Sequence, residues 1–189
     1  MKSFSFNRNK TRGLTLLELL LVLGILAVFV VVAFGIYPQV RDSSRANSEV
    51  TNLTAIKANI NSLYTSRGGN YTGLTNAVAI DGRVYPASMV DDTSSTSSWG
   101  ADVSVIANTA VTNTPRGNFA ANRSFTVTYN DVPEGICLPL ITGASANFQD
   151  VQVGSSEGLS VMNASGLDVT AATTACAADG AKNLTFVSN

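Results

Sequence analysis

The chain of 189 residues has no histidine, two cysteines, one tryptophan and a charged fraction of 13%. Without an imidazole it has no Ser-His-Asp triad, no Cys-His dyad and no histidine metal ligand. Two cysteines cannot form a four-thiolate zinc site, and Cys137 and Cys176 lie too far apart in sequence for a CxxC redox pair. A single structural disulfide is the default use of such a pair. These absences point away from an enzyme, and no catalytic residue, metal ligand or cofactor is assigned. The charged fraction is about half of the ~25% usual for globular chains, while mean hydropathy is +0.19. Either the whole chain is oily or one segment carries the apolar excess.

One segment carries it. From Leu19 to Tyr37 every residue is apolar or glycine. At about 1.5 Å per residue this run spans roughly 29 Å as a helix, close to the ~30 Å hydrocarbon core of a bilayer. Before it, residues 1–13 hold Lys2, Arg8, Lys10 and Arg12 and no acid, so the positive-inside rule keeps this leader in the cytoplasm and sends the rest outward. The formal net charge of −1 therefore hides a polarised chain. After Gly13, eight basic residues face thirteen acidic ones, a side-chain charge of −5.

Pro38 is expected to bend or interrupt the helix, yet Ala46, Val50, Leu53, Ile56, Ile60, Leu63 and Tyr64 resume a spacing of three and four. Asn47, Glu49, Asn52, Lys57, Asn59 and Asn61 are assigned to the opposite, polar face, and Gly68-Gly69 to the stop. This gives one helix of about fifty residues, its first half apolar all round and its second half packed on a globular domain. Residues 70–100, with Gly73, Gly82, Pro86 and the polar run Asp91 to Ser98, read as a long loop region. Short strands are expected at Val103 to Ala107, Ser124 to Tyr129, Val151 to Val153, Leu159 to Met162 and Leu184 to Val187, with short helices over Pro133 to Ala146 and Thr170 to Ala178. Ser, Thr and Asn make up roughly 30% of the chain, which suits a soluble domain of strands and loops. The fold class is α+β, a long N-terminal helical spine on an antiparallel sheet. Its segments are a leader (1–13), an apolar transmembrane helix (14–37), an amphipathic half-helix (38–66) and a globular head (67–189).

The informative residue is Glu18, an acid inside the oily helix GLTLLELLLVLGILAV. A central carboxylate costs about 2.5 to 3.5 kcal/mol to insert, less near a helix end, and no Lys or Arg lies within the segment to pair with it. Cleavage after Gly13 creates a partner, because the new α-amino group of Leu14 lies one helical turn from Glu18, on the same chain or on a neighbour. A charge pair buried between helices fixes their register, which explains more than self-pairing does.

The basic leader ending in Gly13, the apolar segment and a Glu at the fifth position of the processed chain resemble the type IV prepilin signature. The thirteen-residue leader and Leu14 as first mature residue are similar to the type IVb branch, which includes toxin-coregulated and bundle-forming pilins. The resemblance implies a structural subunit rather than an enzyme. It assigns cleavage and methylation to Gly13 and Leu14, filament assembly to Glu18, and the span from Leu19 to Tyr37 to membrane and then filament core. It makes Cys137 and Cys176 the C-terminal disulfide loop of a pilin-like head, in keeping with export to an oxidising compartment; a free buried pair is the alternative. The implied partners are further copies in a helical filament, a prepilin peptidase, the inner-membrane assembly machinery and, before assembly, the membrane itself. The leader is then cytoplasmic, the head periplasmic and the assembled pilus extracellular, serving adhesion, cell aggregation or conjugation.

Other readings explain less. A secretory signal cut after Val31-Val32-Ala33 has too long an apolar core and makes Glu18 pure cost. A simple signal-anchored binding domain leaves both Gly13 and Glu18 unused. A minor pilin or a secretion-system pseudopilin shares the leader and the helix. Asp91, Asp92 and Asp102 near Trp99 lack the spacing of a calcium loop. Arg116 and Arg123 are scattered rather than striped, so direct nucleic-acid binding is not expected.

Overall fold

A computed structural model describes residues 15–154, 158–178, 180 and 182–189, with the backbone alone at 35, 36 and 38. The chain divides into two units, Met1–Val40 and Arg41–Asn189. Helix α1 runs over Leu16–Tyr64. Pro38 falls inside it rather than at a break; a proline removes one backbone donor, and the helix resumes on the residues that follow. A short 3₁₀ turn, Thr65–Arg67, closes on Gly68, whose φ of 59° is the left-handed conformation that glycine adopts without a steric penalty.

In the first unit the described part is helical from Leu16 onward, and its apolar side chains are exposed all round, from Leu16 at 76% to Phe34 at 76%. It belongs to the one helix among the described residues that is long and apolar enough to cross a membrane.

The second unit is built on a five-stranded antiparallel sheet. Strand β3 spans Val103–Ala107, β6 Phe125–Val132, β7 Asp150–Val153, β8 Leu159–Ser160 and β11 Lys182–Ser188, in the spatial order β3-β6-β11-β7-β8. The central strand β11 therefore joins β6 to β7 although it comes last in sequence. Short hairpins surround the sheet: β1 (Val90–Asp91) with β2 (Ser94–Ser95), β4 (Thr112–Thr114) with β5 (Gly117–Phe119), and β9 (Met162–Asn163) with β10 (Gly166–Leu167). Three helices complete the unit: α2 (Asn76–Asp81), α3 (Glu134–Ala144) and α4 (Val169–Ala177).

Period-two alternation sends Val105, Val127, Phe186 and Val151, which are partners across four strands, to one face, where they are buried together with Ala46, Leu53, Ile56 and Ile60 of α1. Tyr71 bridges the layers, its ring centroid 5.5 Å from that of Tyr64 and 5.0 Å from that of Phe125. Helix α3 lies close against α1: a Cβ at Gly143 would stand 2.7 Å from a methyl of Val50, so that position accepts no larger side chain without displacement.

Residues 70–100 are a long connecting stretch with little regular structure, α2 and the β1–β2 hairpin, and they are pinned to the core by buried Leu74, Ala79, Val84 and Met89. Two expectations are corrected. Leu63 is 43% exposed, because the buried stripe steps from Ile60 to Tyr64. Glu49, assigned to the polar face, is 1% exposed.

Candidate assembly site

Thr15 begins the site. Its carbonyl accepts the Leu19 amide at 3.1 Å and its hydroxyl accepts the Glu18 amide at 3.2 Å, so it is the N-cap of α1. Thr15-Leu16-Leu17-Glu18 has the spacing of a capping box, a signal that the sequence reading passed over. Glu18 thus stands in the first turn of the helix, where the unpaired amide groups favour negative charge. Its side chain is exposed and has no hydrogen-bond or ion-pair partner among the described residues. Gly13 and Leu14 lie outside the described residues, so the α-amine partner expected for Glu18 does too.

Leu19 and Tyr37 bound the apolar run on α1, both more than half exposed. Near its end Val30, Ala33, Phe34 and Tyr37 line a shallow, wholly apolar notch of about 310 Å³. Their spacing of three, four and seven puts them on one helix face, with small Ala33 among larger neighbours.

The remaining sequence-singled residues lie in the head. Cys137 on α3 and Cys176 on α4 are joined by a disulfide with their Cα atoms 5.8 Å apart, and no cysteine is free. Asp91 ends β1 and Asp92 sits on the turn of the β1–β2 hairpin, both exposed, as is Asp102. Trp99 is partly buried, its Nε1 donating to the Asn130 carbonyl at 3.1 Å. Arg116 and Arg123 cap carbonyls: Arg116 donates to Ser145 and Phe148 at 3.2 and 3.1 Å, Arg123 to Gly68 at 2.6 Å. No group of three or more acidic or cysteine side chains placed to hold a metal ion occurs among the described residues.

Glu49 is the polar residue that the sequence reading misplaced. Its carboxylate accepts the Ser98 amide at 2.7 Å and the Asn52 amide nitrogen at 3.3 Å. The buried Tyr129 hydroxyl beside it has no hydrogen-bond partner of proper geometry among the described residues. Burial first, and then the neighbouring carboxylate, push the ionisation of Tyr129 well above the ordinary phenol range. Burial likewise raises Tyr85 to about 12, and partial burial lowers Lys57. The missed signal was spacing: 46, 49, 53, 56 and 60 is an unbroken three-four stripe, with Glu49 in it.

Comparison with known proteins follows from this geometry. Residues 43–189 match the family model described as PilS N terminal, and residues 8–34 match the prokaryotic N-terminal methylation motif. Among solved structures the chain is similar to a type IV b pilin from Salmonella typhi, at 22% identity and TM-score 0.54, with 74% of this chain and 97% of that one covered. It is also similar to TcpA, a type IV pilin from Vibrio cholerae El Tor biotype, at 16% identity and TM-score 0.52, with 79% and 99% covered. Both likenesses speak to the fold. No curated protein matches the chain.

Proposed function

The chain belongs to the PilS family, a type IVb pilin carrying the prokaryotic N-terminal methylation motif, and from that premise we propose that it is exported as a prepilin, cut after Gly13, methylated on Leu14 and polymerised through α1 into an extracellular filament. The family is structural, not enzymatic. One observation carries the reading: a lone carboxylate, Glu18, in the first turn of a helix whose large apolar side chains between Leu16 and Phe34 are exposed.

Before cleavage four leader cations hold the N-terminus on the cytoplasmic side. Cleavage by a prepilin peptidase removes them and leaves a single positive charge, the α-amine of Leu14, at the depth of Glu18. In the inner membrane the apolar helix is solvated by lipid; in the filament it is solvated by equally apolar helices of other copies. Transfer between two such environments yields little hydrophobic free energy, so helix packing and the pair of Glu18 with a neighbour's Leu14 set the register. The notch at Val30, Ala33, Phe34 and Tyr37 supports a packed seam on the same helix. The assembly machinery of the inner membrane receives the anchored precursor with its head in the periplasm. Adhesion, cell aggregation and conjugation are the roles such a filament serves, and deletion of the gene scored for each separates them.

Mass spectrometry of the mature subunit tests the processing step. The expected N-terminus is N-methylated Leu14; a terminus near residue 35, or an intact leader on assembled protein, overturns it. Subunit abundance in sheared filaments distinguishes a major pilin, which dominates them, from a minor one.

A further inference from the structure

The sheet has a second face, turned away from α1, on which polar and apolar side chains mix around an open groove. Cross-strand pairing aligns Ser104, Thr128, Thr185, Gln152 and Ser160 in one transverse row over all five strands. With strands about 4.8 Å apart the row is about 19 Å long. It crosses a groove of about 440 Å³ whose lining residues include no charged and no aromatic side chain. Ile106, 51% exposed, supplies an apolar patch in the neighbouring row.

The polar groups around this row are held in place by one another. Buried Asp150 accepts Gln152 Nε2 at 2.7 Å and the Ser160 hydroxyl at 2.5 Å. Asn108 accepts the Thr126 hydroxyl at 2.7 Å and donates to Ser124 at 2.9 Å. In the middle, the hydroxyls of Thr128 and Thr185 have no partner among the described residues. A fixed amide in the row at Gln152, a second at Asn108 on the rim of the groove, and the two free hydroxyls make a set of donors and acceptors whose ordering cost is partly met.

We propose that this groove binds a neutral, unbranched oligosaccharide laid across the strands, with Thr128 and Thr185 as its central contacts. The chemistry discriminates among partners. A nucleic acid needs cations, and none lines the groove. A peptide added as a strand needs a free edge, whereas this is a face, and along β3 the Val105 and Ala107 amides already donate to Asn76 and Leu74. A lipid or an apolar helix needs a hydrophobic floor. A chain of pyranose rings offers hydroxyls at a repeat close to the strand spacing, with C–H faces suited to Ile106. The site lies on the head alone and does not depend on filament assembly.

The test uses the full chain in a non-glycosidic detergent, titrated with cellotetraose, chitotetraose and maltotetraose and followed by saturation-transfer and amide-shift NMR. Binding of at least one probe is expected, with shifts concentrated on β6 and β11. Thr128→Val/Thr185→Val should weaken it about tenfold, Thr128→Ser/Thr185→Ser should retain it, and Thr54→Val on α1 should not change it. The proposal is overturned if no probe binds, if the shifts fall elsewhere, or if the valine pair binds as the wild type does. It is equally overturned if the valine pair keeps glycan binding and instead lowers filament yield, which assigns the face to a second copy of the chain. The shift map needs no variant, so a valine pair that fails to fold does not spare the proposal.

Discussion

Glu18 and Glu49 sit on one helix, thirty-one residues apart, in opposite circumstances. Glu49 is buried within the head and its charge is met by the Ser98 amide and by Asn52. Glu18 is exposed on a shaft of leucine and valine, and nothing in the described chain reaches its carboxylate. The same side chain thus serves two kinds of contact. One is completed inside the chain; the other, in the proposed filament, is completed by a neighbour's α-amine. The apolar residues around them divide likewise: Leu53, Ile56 and Ile60 are fully buried within the head, while the described ones between Leu16 and Tyr37 are exposed.

The sharpest way to break this comparison is to exchange the effects of the two acids. Glu18→Ala should lower filament yield about a hundredfold or more, since it leaves a buried α-amine unpaired, while membrane insertion and the melting temperature of the head stay unchanged. Normal filaments from Glu18→Ala would remove the account of that residue. Next in size, Cys137→Ser with Cys176→Ser should cost about 4 kcal/mol of head stability by the loop-entropy model, seen as a drop in denaturation midpoint with filament defects following only from misfolding. Glu49→Ala should cost about 2 to 3 kcal/mol, because the Ser98 amide is left unsatisfied, and Glu49→Gln distinctly less; equal losses for the two would show that hydrogen bonding is not what Glu49 supplies.

The smallest effect is with pH. The folded state holds Tyr85 neutral up to about 12, whereas an unfolded chain releases that proton near 10. The unfolded state therefore binds fewer protons in that window, so head stability is complete below about pH 10 and falls as pH rises toward 12. Tyr129, raised in the same direction, extends the loss upward. Phenolate absorbance that appears together with loss of the fold checks this; ionisation near pH 10 with the fold intact would contradict it.

Much of this comparison is legible in the amino-acid sequence. The apolar run and its one acid need only composition, and the strands expected at Val103 to Ala107 and Leu184 to Val187 show themselves by apolar alternation, the second running longer as Lys182–Ser188. The β4–β5 hairpin was not legible, because Thr112 to Phe119 has no apolar face and is held by local bonds such as Thr114 to Gly117. That residues 70–100 help to fill the core is hidden for a related reason: Tyr71, Leu74, Val84 and Met89 are core residues at irregular spacing, which no periodicity detects. Glu49 was misread because residue type outweighed position. Among the site residues, Glu18 could be named but its capping by Thr15 was overlooked, and the hydroxyl row across the sheet exists only once five strands are in register.

That register has a consequence in time. Strand β11 fills the gap between β6 and β7, so the two outer parts of the sheet, made earlier, have no backbone contact with each other until residues 182–188 arrive. Contacts that close only across such long stretches of chain form late and slowly. Until that strand docks, β6 and β7 each lack a neighbour on that side, and the faces that carry Val127 and Val151 stay uncovered. In the proposed prepilin the anchored helix would hold such an unfinished head at the membrane while its last seven residues complete it.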